Sequence, residues 1–209
     1  MYFEAKDLPY QQFEKIGLGK REVLALPPED LKALLTGRTT TLQTIKIQGQ
    51  DIQQVMQAKL SIQRYPDGSL NLMVHPIRRE IKNEDNLANQ QLEALKKGET
   101  VIAPRTSMNG EKDLYLFQLD KETNEIVKTR LNSISVPRYL MDIELTQKQK
   151  SDLLQGKTIE LVDKYGNIQK VSIDLINQQG FRIHHSGEKT ELNRGTERTH
   201  IDKTIGLRR

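Results

Sequence analysis

Leu26-Pro27-Pro28-Glu29-Asp30-Leu31-Lys32-Ala33-Leu34-Leu35-Thr36-Gly37-Arg38-Thr39 decides the fold, because the chain repeats it. It returns as Leu87-Ala88-Asn89-Gln90-Gln91-Leu92-Glu93-Ala94-Leu95-Lys96-Lys97-Gly98-Glu99-Thr100. It returns again as Leu145-Thr146-Gln147-Lys148-Gln149-Lys150-Ser151-Asp152-Leu153-Leu154-Gln155-Gly156-Lys157-Thr158. Internal repeats indicate a modular architecture. In each copy a Leu precedes a helical stretch, where it can staple the first turn. A second Leu (34, 95, 153) falls on the core side. Asp30, Gln91 or Gln149 sits in the first turn, where a side chain can serve free N–H groups; Thr146 with Gln149 is a capping box. Pro28 suits an early helical position. Gly37, Gly98 and Gly156 follow as helix C-caps, which need positive φ. A phosphate-binding loop wants its glycines ahead of a helix instead.

After each glycine the hydrophobic period changes from helical to alternating. Ala58, Leu60 and Ile62 lead to the turn Pro66-Asp67-Gly68, and Leu70, Leu72 and Val74 return. Leu114 to Leu119 and Ile126 to Leu131 flank Glu122-Thr123-Asn124, with an earlier turn at Asn109-Gly110. Ile159 and Leu161 lead through Tyr165-Gly166-Asn167 to Val171, Ile173 and Leu175, then through Gln178-Gln179-Gly180 to Phe181 and Ile183. The expected fold is α+β: three repeated units, each a Gly-capped helix packed on a short antiparallel three-stranded meander. Gln48 to Gln57 reads as a polar insertion. A short helix over Tyr10, Phe13 and Ile16, ended by Gly17, precedes the first unit, and Lys20 to Leu26 adds another turn. The expected divisions are 1–82, 83–141 and 142–185, followed by a polar tail at 186–209 that lacks apolar periodicity.

Aromatic residues are only 5% of the 209, with no Trp and no Cys. The cores should therefore be aliphatic, and disulfides and thiolate metal sites are excluded. No secretory leader or bilayer-spanning stretch is evident, so a cytoplasmic location without membrane contact is expected. The formal charge is +4. The tail sets Lys189, Arg194, Arg198, Lys203, Arg208 and Arg209 against Glu188, Glu191, Glu197 and Asp202. It carries half of that charge and leaves the body nearly neutral, a weak footprint for nucleic acid.

Leu8-Pro9, Phe13, Ile16-Gly17, Leu31, Leu34-Leu35, Gly37 and Thr39, followed by Ala58-Lys59-Leu60-Ser61, Asp67-Gly68 and His75-Pro76-Ile77-Arg78, resemble a bacterial domain-of-unknown-function family, DUF4099. The Leu-Thr-x-x-Gln…Leu-x-x-Gly-Lys pattern from Leu145, degenerate from Leu87, resembles a second, DUF3945. The two occur in tandem in proteins of conjugative or mobilisable elements, so the resemblance implies a role beside transfer machinery. It carries over no catalytic residue.

The chain contains no His-Glu-x-x-His, Gly-x-Ser-x-Gly or phosphate-loop sequence. His184 and His185, as strand neighbours, point to opposite faces and do not chelate one metal together. Asp142 and Glu144, just before a helix, suit dipole and cap interactions. No enzyme activity, cofactor or metal is expected. The densest local cluster is Arg64, Tyr65, His75, Arg78, Arg79 and Lys82, with Arg64 and His75 expected on the two sides of one hairpin. It could contact phosphates, with Tyr65 as a stacking platform, or form a solvated rim balanced by Glu80 and Glu84. Two functions follow. The first is a non-catalytic adaptor with a protein partner. The alternative is a sequence-independent nucleic-acid-binding accessory protein.

Overall fold

A computed structural model of the chain describes residues 3–48, 53–106, 110 and 112–184. The tail and the Asn109 half of the expected turn lie outside the described residues. Three short helices open the chain: α1 (Tyr10–Glu14), α2 (Lys20–Leu24) and α3 (Pro28–Leu35). A three-stranded antiparallel sheet follows, β1 (Gln43–Gln48), β2 (Gln53–Arg64) and β3 (Leu70–Pro76), in the order β1-β2-β3. Helix α4 (Asn89–Lys97) precedes a second such sheet, β4 (Val101–Thr106), β5 (Lys112–Asp120) and β6 (Glu125–Arg130). A two-stranded hairpin, β7 (Tyr139–Leu140) and β8 (Ile143–Glu144), leads to α5 (Gln147–Leu154). The last sheet is β9 (Ile159–Val162), β10 (Ile168–Ile173) and β11 (Phe181–His184). The fold is α+β, and the order of helix then antiparallel meander occurs three times among the described residues.

The helix ends follow from the sequence. Gly37, Gly98 and Gly156 all adopt left-handed backbone, with φ of 69°, 88° and 73°. At α5 the Thr146 hydroxyl accepts from the Gln149 N–H, and Gln149 Oε1 accepts from the Thr146 N–H. At α4 only the reciprocal half forms, Gln91 Oε1 accepting from the Ala88 N–H, because Ala88 offers no acceptor. Asp30 departs from its expected role as a first-turn cap. It is buried, and accepts instead from the Thr41 N–H, the Thr41 hydroxyl and the Gln43 amide.

Two further expectations are corrected. Of the polar insertion, Gln53 to Gln57 belongs to β2. That strand is long enough for β1 to pair with its first half and β3 with its second. Polar side chains are tolerated there because Val55 and its face look outward, Val55 being 58% exposed. Asp142 and Glu144 do not serve a helix N-terminus. Met141 and Asp142 form the left-handed turn of the β7–β8 hairpin, with φ of 50° and 63°, and Glu144 accepts from Arg138 Nε at 2.9 Å.

Each sheet has its own apolar core, and the expectation of aliphatic cores is corrected in the first two, where the few aromatic residues Phe3, Phe13, Tyr115 and Phe117 are buried. Phe13, Leu34, Ile45 and Leu60 centre the first, Leu95 and Phe117 the second, and Leu153, Leu161 and Val171 the third. Strand β5 is shared. Tyr115, Phe117 and Leu119 enter the second core, whereas Leu116, on the opposite face, is fully buried in the third. Leu131, Ile134 and Val136 also pack on that third core. The sheet of the second unit is thus covered on both faces, by its helix and by the third unit.

Candidate functional site

The register of the β2–β3 hairpin dissolves the expected basic cluster. Arg64 pairs with Leu70, next to the turn, whereas His75 pairs with Lys59. Five residues of strand separate the two pairs, about 17 Å. Odd and even residues of β2 point to opposite faces, so Arg64 and His75 share neither end nor face. Arg64 stays local: its guanidinium donates to the Gly68 carbonyl at 3.1 Å and lies 5.4 Å from the Phe3 ring centroid. Tyr65 is exposed beside it, and Arg79 and Lys82 are exposed on the segment after β3.

His75 and Arg78 do come together, against the second unit. The His75 ring lies between the Ser61 hydroxyl and Glu125, with nitrogen-to-oxygen distances of 2.9 Å on both sides. Arg78 Nη2 reaches the other Glu125 oxygen at 3.4 Å. The Arg78 N–H donates to the Thr123 carbonyl, and Asn124 donates back to the Arg78 carbonyl. Burial pushes the Glu125 carboxyl up. The hydrogen bond from His75, then the charges of His75 and Arg78, outweigh that and hold it below the usual glutamate range.

Lys59 completes this junction. Its ammonium donates to Asp120 at 2.7 Å and sits 2.7 Å from Glu122, with side-chain exposures of 4%, 5% and 63% in that order. Burial works to lower its pKa. Hydrogen bonds to Asp120 and Glu122, then their charges, prevail and raise it above the usual lysine value. Sequence reasoning missed this lysine, because the alternation Ala58, Leu60, Ile62 assigns Lys59 to solvent. The signal lay elsewhere, in the apolar run Tyr115-Leu116-Phe117, which is buried on both faces of its strand.

The other junctions are equally specific. Gln118, on β5, donates to the Ile173 carbonyl at 2.8 Å and accepts from the Leu175 N–H at 2.7 Å, tying the second unit to the third. The loop before β11 then returns to the first unit. Gln178 donates to Asp30 at 2.6 Å, and Arg38 reaches the Asn177 carbonyl at 3.5 Å. The three units therefore close a triangle. Among the described residues no group of three His, Asp or Glu side chains is placed to hold a metal ion, and no helix is long and apolar enough to cross a membrane.

Residues 3–86 match a family model. The family is described as Protein of unknown function (DUF4099). The match spans α1 to β3 and the segment leading to α4, in keeping with the resemblance over the N-terminal part. No curated protein and no solved structure matches the chain.

Proposed function

We propose that this chain is a non-catalytic binding module, a cytoplasmic adaptor for a protein partner in a bacterial conjugative or mobile element. Its three helix-and-meander segments are repeats of one unit. The mobile-element setting rests on the resemblance of the N-terminal part to DUF4099 and of the later segments to DUF3945. The observation that carries the adaptor reading is an outward-facing apolar surface on the β9–β10 hairpin. Val162 and Ile168 pair directly across the strands, 57% and 49% exposed, and Tyr165 at the turn is 77% exposed. Contiguous exposed apolar side chains on a folded surface mark interaction sites.

The arginines argue in the same direction. Arg78 faces Glu125, Arg105 faces Asp85, Arg130 faces Asp113, Arg138 faces Glu144 and Arg182 faces Asp174. A surface that neutralises its own cations displaces few counterions from nucleic acid. The nucleic-acid alternative retains Arg79, Lys82 and Tyr65, which are exposed near the first meander.

Affinity capture from the host bacterium with the native chain and with the variant Val162→Ser/Ile168→Ser tests the adaptor. A specific protein retained by the native chain and lost with the variant, at unchanged melting temperature, is the expected result. Identical retention by both sinks the reading. Saturable binding of labelled DNA or RNA at low salt, lost in Arg79→Ala/Lys82→Ala, would favour the alternative instead.

A further inference from the structure

The β2–β3 and β10–β11 hairpins each hold a serine against a histidine, in the same register. In the first, His75 pairs with Lys59, and Ser61 stands two residues on from that lysine. In the last, His184 pairs with Lys170, and Ser172 stands two residues on. The serine oxygen lies 2.9 Å from histidine Nε2 in both. The two pairs differ at the other ring nitrogen. His75 Nδ1 is 2.9 Å from Glu125, which the second unit brings in, whereas His184 Nδ1 meets no carboxylate among the described residues.

The carboxylate settles the proton positions around a neutral His75 ring. Glu125 can only accept, so Nδ1 carries the hydrogen, Nε2 presents its lone pair, and the Ser61 hydroxyl donates to it. Arg78 engages the other Glu125 oxygen at 3.4 Å. Serine, histidine and carboxylate in this order activate a hydroxyl as a nucleophile, and the arrangement is defined by geometry, not by sequence context. Ser61 accordingly lies in mid-strand, outside any Gly-x-Ser-x-Gly stretch. Solvent reaches the group: Ser61 is half-buried, and the His75 and Glu125 side chains are 22% and 20% exposed. Met73, directly opposite Ser61, and Gln63, two residues further along β2, share its face of the sheet. Gln63 is exposed.

We propose that Ser61 is an activated nucleophile and a site of covalent acylation, with an activated ester as the acyl donor. The Ser61 oxygen attacks the carbonyl carbon while its proton passes to His75 Nε2. The Gln63 amide donates to the charge developing on the carbonyl oxygen. As the ester C–O bond breaks, His75 returns the proton to the departing alkoxide. The products are Ser61 carrying the acyl group and one molecule of alcohol. Glu125 positions His75 and touches no reacting atom. One acyl group per chain is a modification without turnover, and the site is independent of the adaptor reading.

Treatment of the full chain with p-nitrophenyl acetate, and separately with a biotinylated fluorophosphonate, which loses fluoride to an activated serine, tests it. Peptide mass spectrometry reads which residue is labelled and how fast. The expected result is an adduct on Ser61 with both reagents, formed about tenfold or more faster than any on Ser172, whose histidine has no carboxylate behind it. That comparison lies within the native chain and depends on no variant. His75→Gln should slow labelling of Ser61 about a hundredfold. Glu125→Gln should slow it about tenfold, with Glu125→Asp recovering part of the loss, each variant being checked for folding by its melting temperature. Equal labelling of Ser61 and Ser172, no adduct on Ser61 at millimolar reagent, or undiminished labelling in folded His75→Gln overturns the proposal.

Discussion

The second unit meets the first through charge and the third through apolar contact. On the first side stand Lys59 with Asp120 and Glu122, and His75 and Arg78 with Glu125. On the third side Leu116 inserts into the neighbouring core, flanked by the two Gln118 hydrogen bonds. Leu116, Gln118 and Asp120 alternate along one face of β5, and the β5–β6 turn and the start of β6 add Glu122 and Glu125 to the charged side. The apolar side supplies free energy in proportion to buried area and tolerates small shifts. The charged side contributes little net energy after desolvation, yet it accepts only one geometry, because a displaced Lys59 would be a buried unpaired charge. The difference separates what holds the units together from what sets their orientation.

The largest effect should come from Leu116→Ala. Loss of a fully buried leucine from the third core should cost about 3 kcal/mol by denaturant unfolding, with little dependence on salt. Lys59→Ala should cost about as much, ~3 kcal/mol, by stranding Asp120 in the junction. Here the comparison can be sharpened: Lys59→Met combined with Asp120→Leu should recover most of that loss. A double variant as unstable as the single one would show that the pair itself carries the stability.

Gly156→Val comes next, at about 2 kcal/mol, because a left-handed backbone and a close neighbour act together. A Cβ there would meet Thr100 Cγ2 at 3.0 Å, on the junction with the second unit. Gly98→Val has the same backbone cost, but only the tip of the Lys121 side chain nearby. It should cost about 1 kcal/mol. Equal losses at the two glycines would mean that the Thr100 contact contributes nothing.

The smallest effect is a pH dependence confined to the charged junction. Glu125 titrates lower in the folded chain than in the unfolded chain. On acidification the unfolded state therefore takes up its proton first. The stability from Glu125 is complete above the ordinary glutamate value, about 4.3, and is lost as pH falls through the lower folded value. Glu125→Gln should flatten the acid limb of the melting-temperature profile, and an unchanged limb would remove Glu125 from the account. Lys59 runs the other way. Its pKa is raised, so its contribution holds below the ordinary lysine value and fades only as pH rises through the higher folded one.

The elements were legible because each has a local cause. Leu34, Leu95 and Leu153 at helical spacing, with a glycine three residues on, fix where the three main helices lie and end. Alternation over Ala58 to Ile62 and Val171 to Ile173 fixes the strands. The cluster at Arg64 and His75 was misread because register is not local. Which residue of β3 faces Arg64 follows from the turn at Asp67 and Gly68, and Lys59 faces His75 as a consequence. The junctions were illegible for a related reason. Asp30 takes the Gln178 amide from 148 positions away, and no periodicity near Asp30 announces it. Only β5 carried a local trace of its neighbours, in an apolar run too continuous for a strand with one wet face.

Lys59 has a practical consequence for anyone cutting the chain. The stretch matched by the family model ends at residue 86, and both carboxylates that neutralise Lys59 lie beyond it, at Asp120 and Glu122. Glu125, the partner of His75 and Arg78, lies beyond it too. A fragment ending there would turn a sealed seam into a bare cationic face carrying Lys59, His75 and Arg78. Such a fragment should bind polyanions more tightly than the intact chain, and that excess in any DNA affinity measured on it would come from the cut.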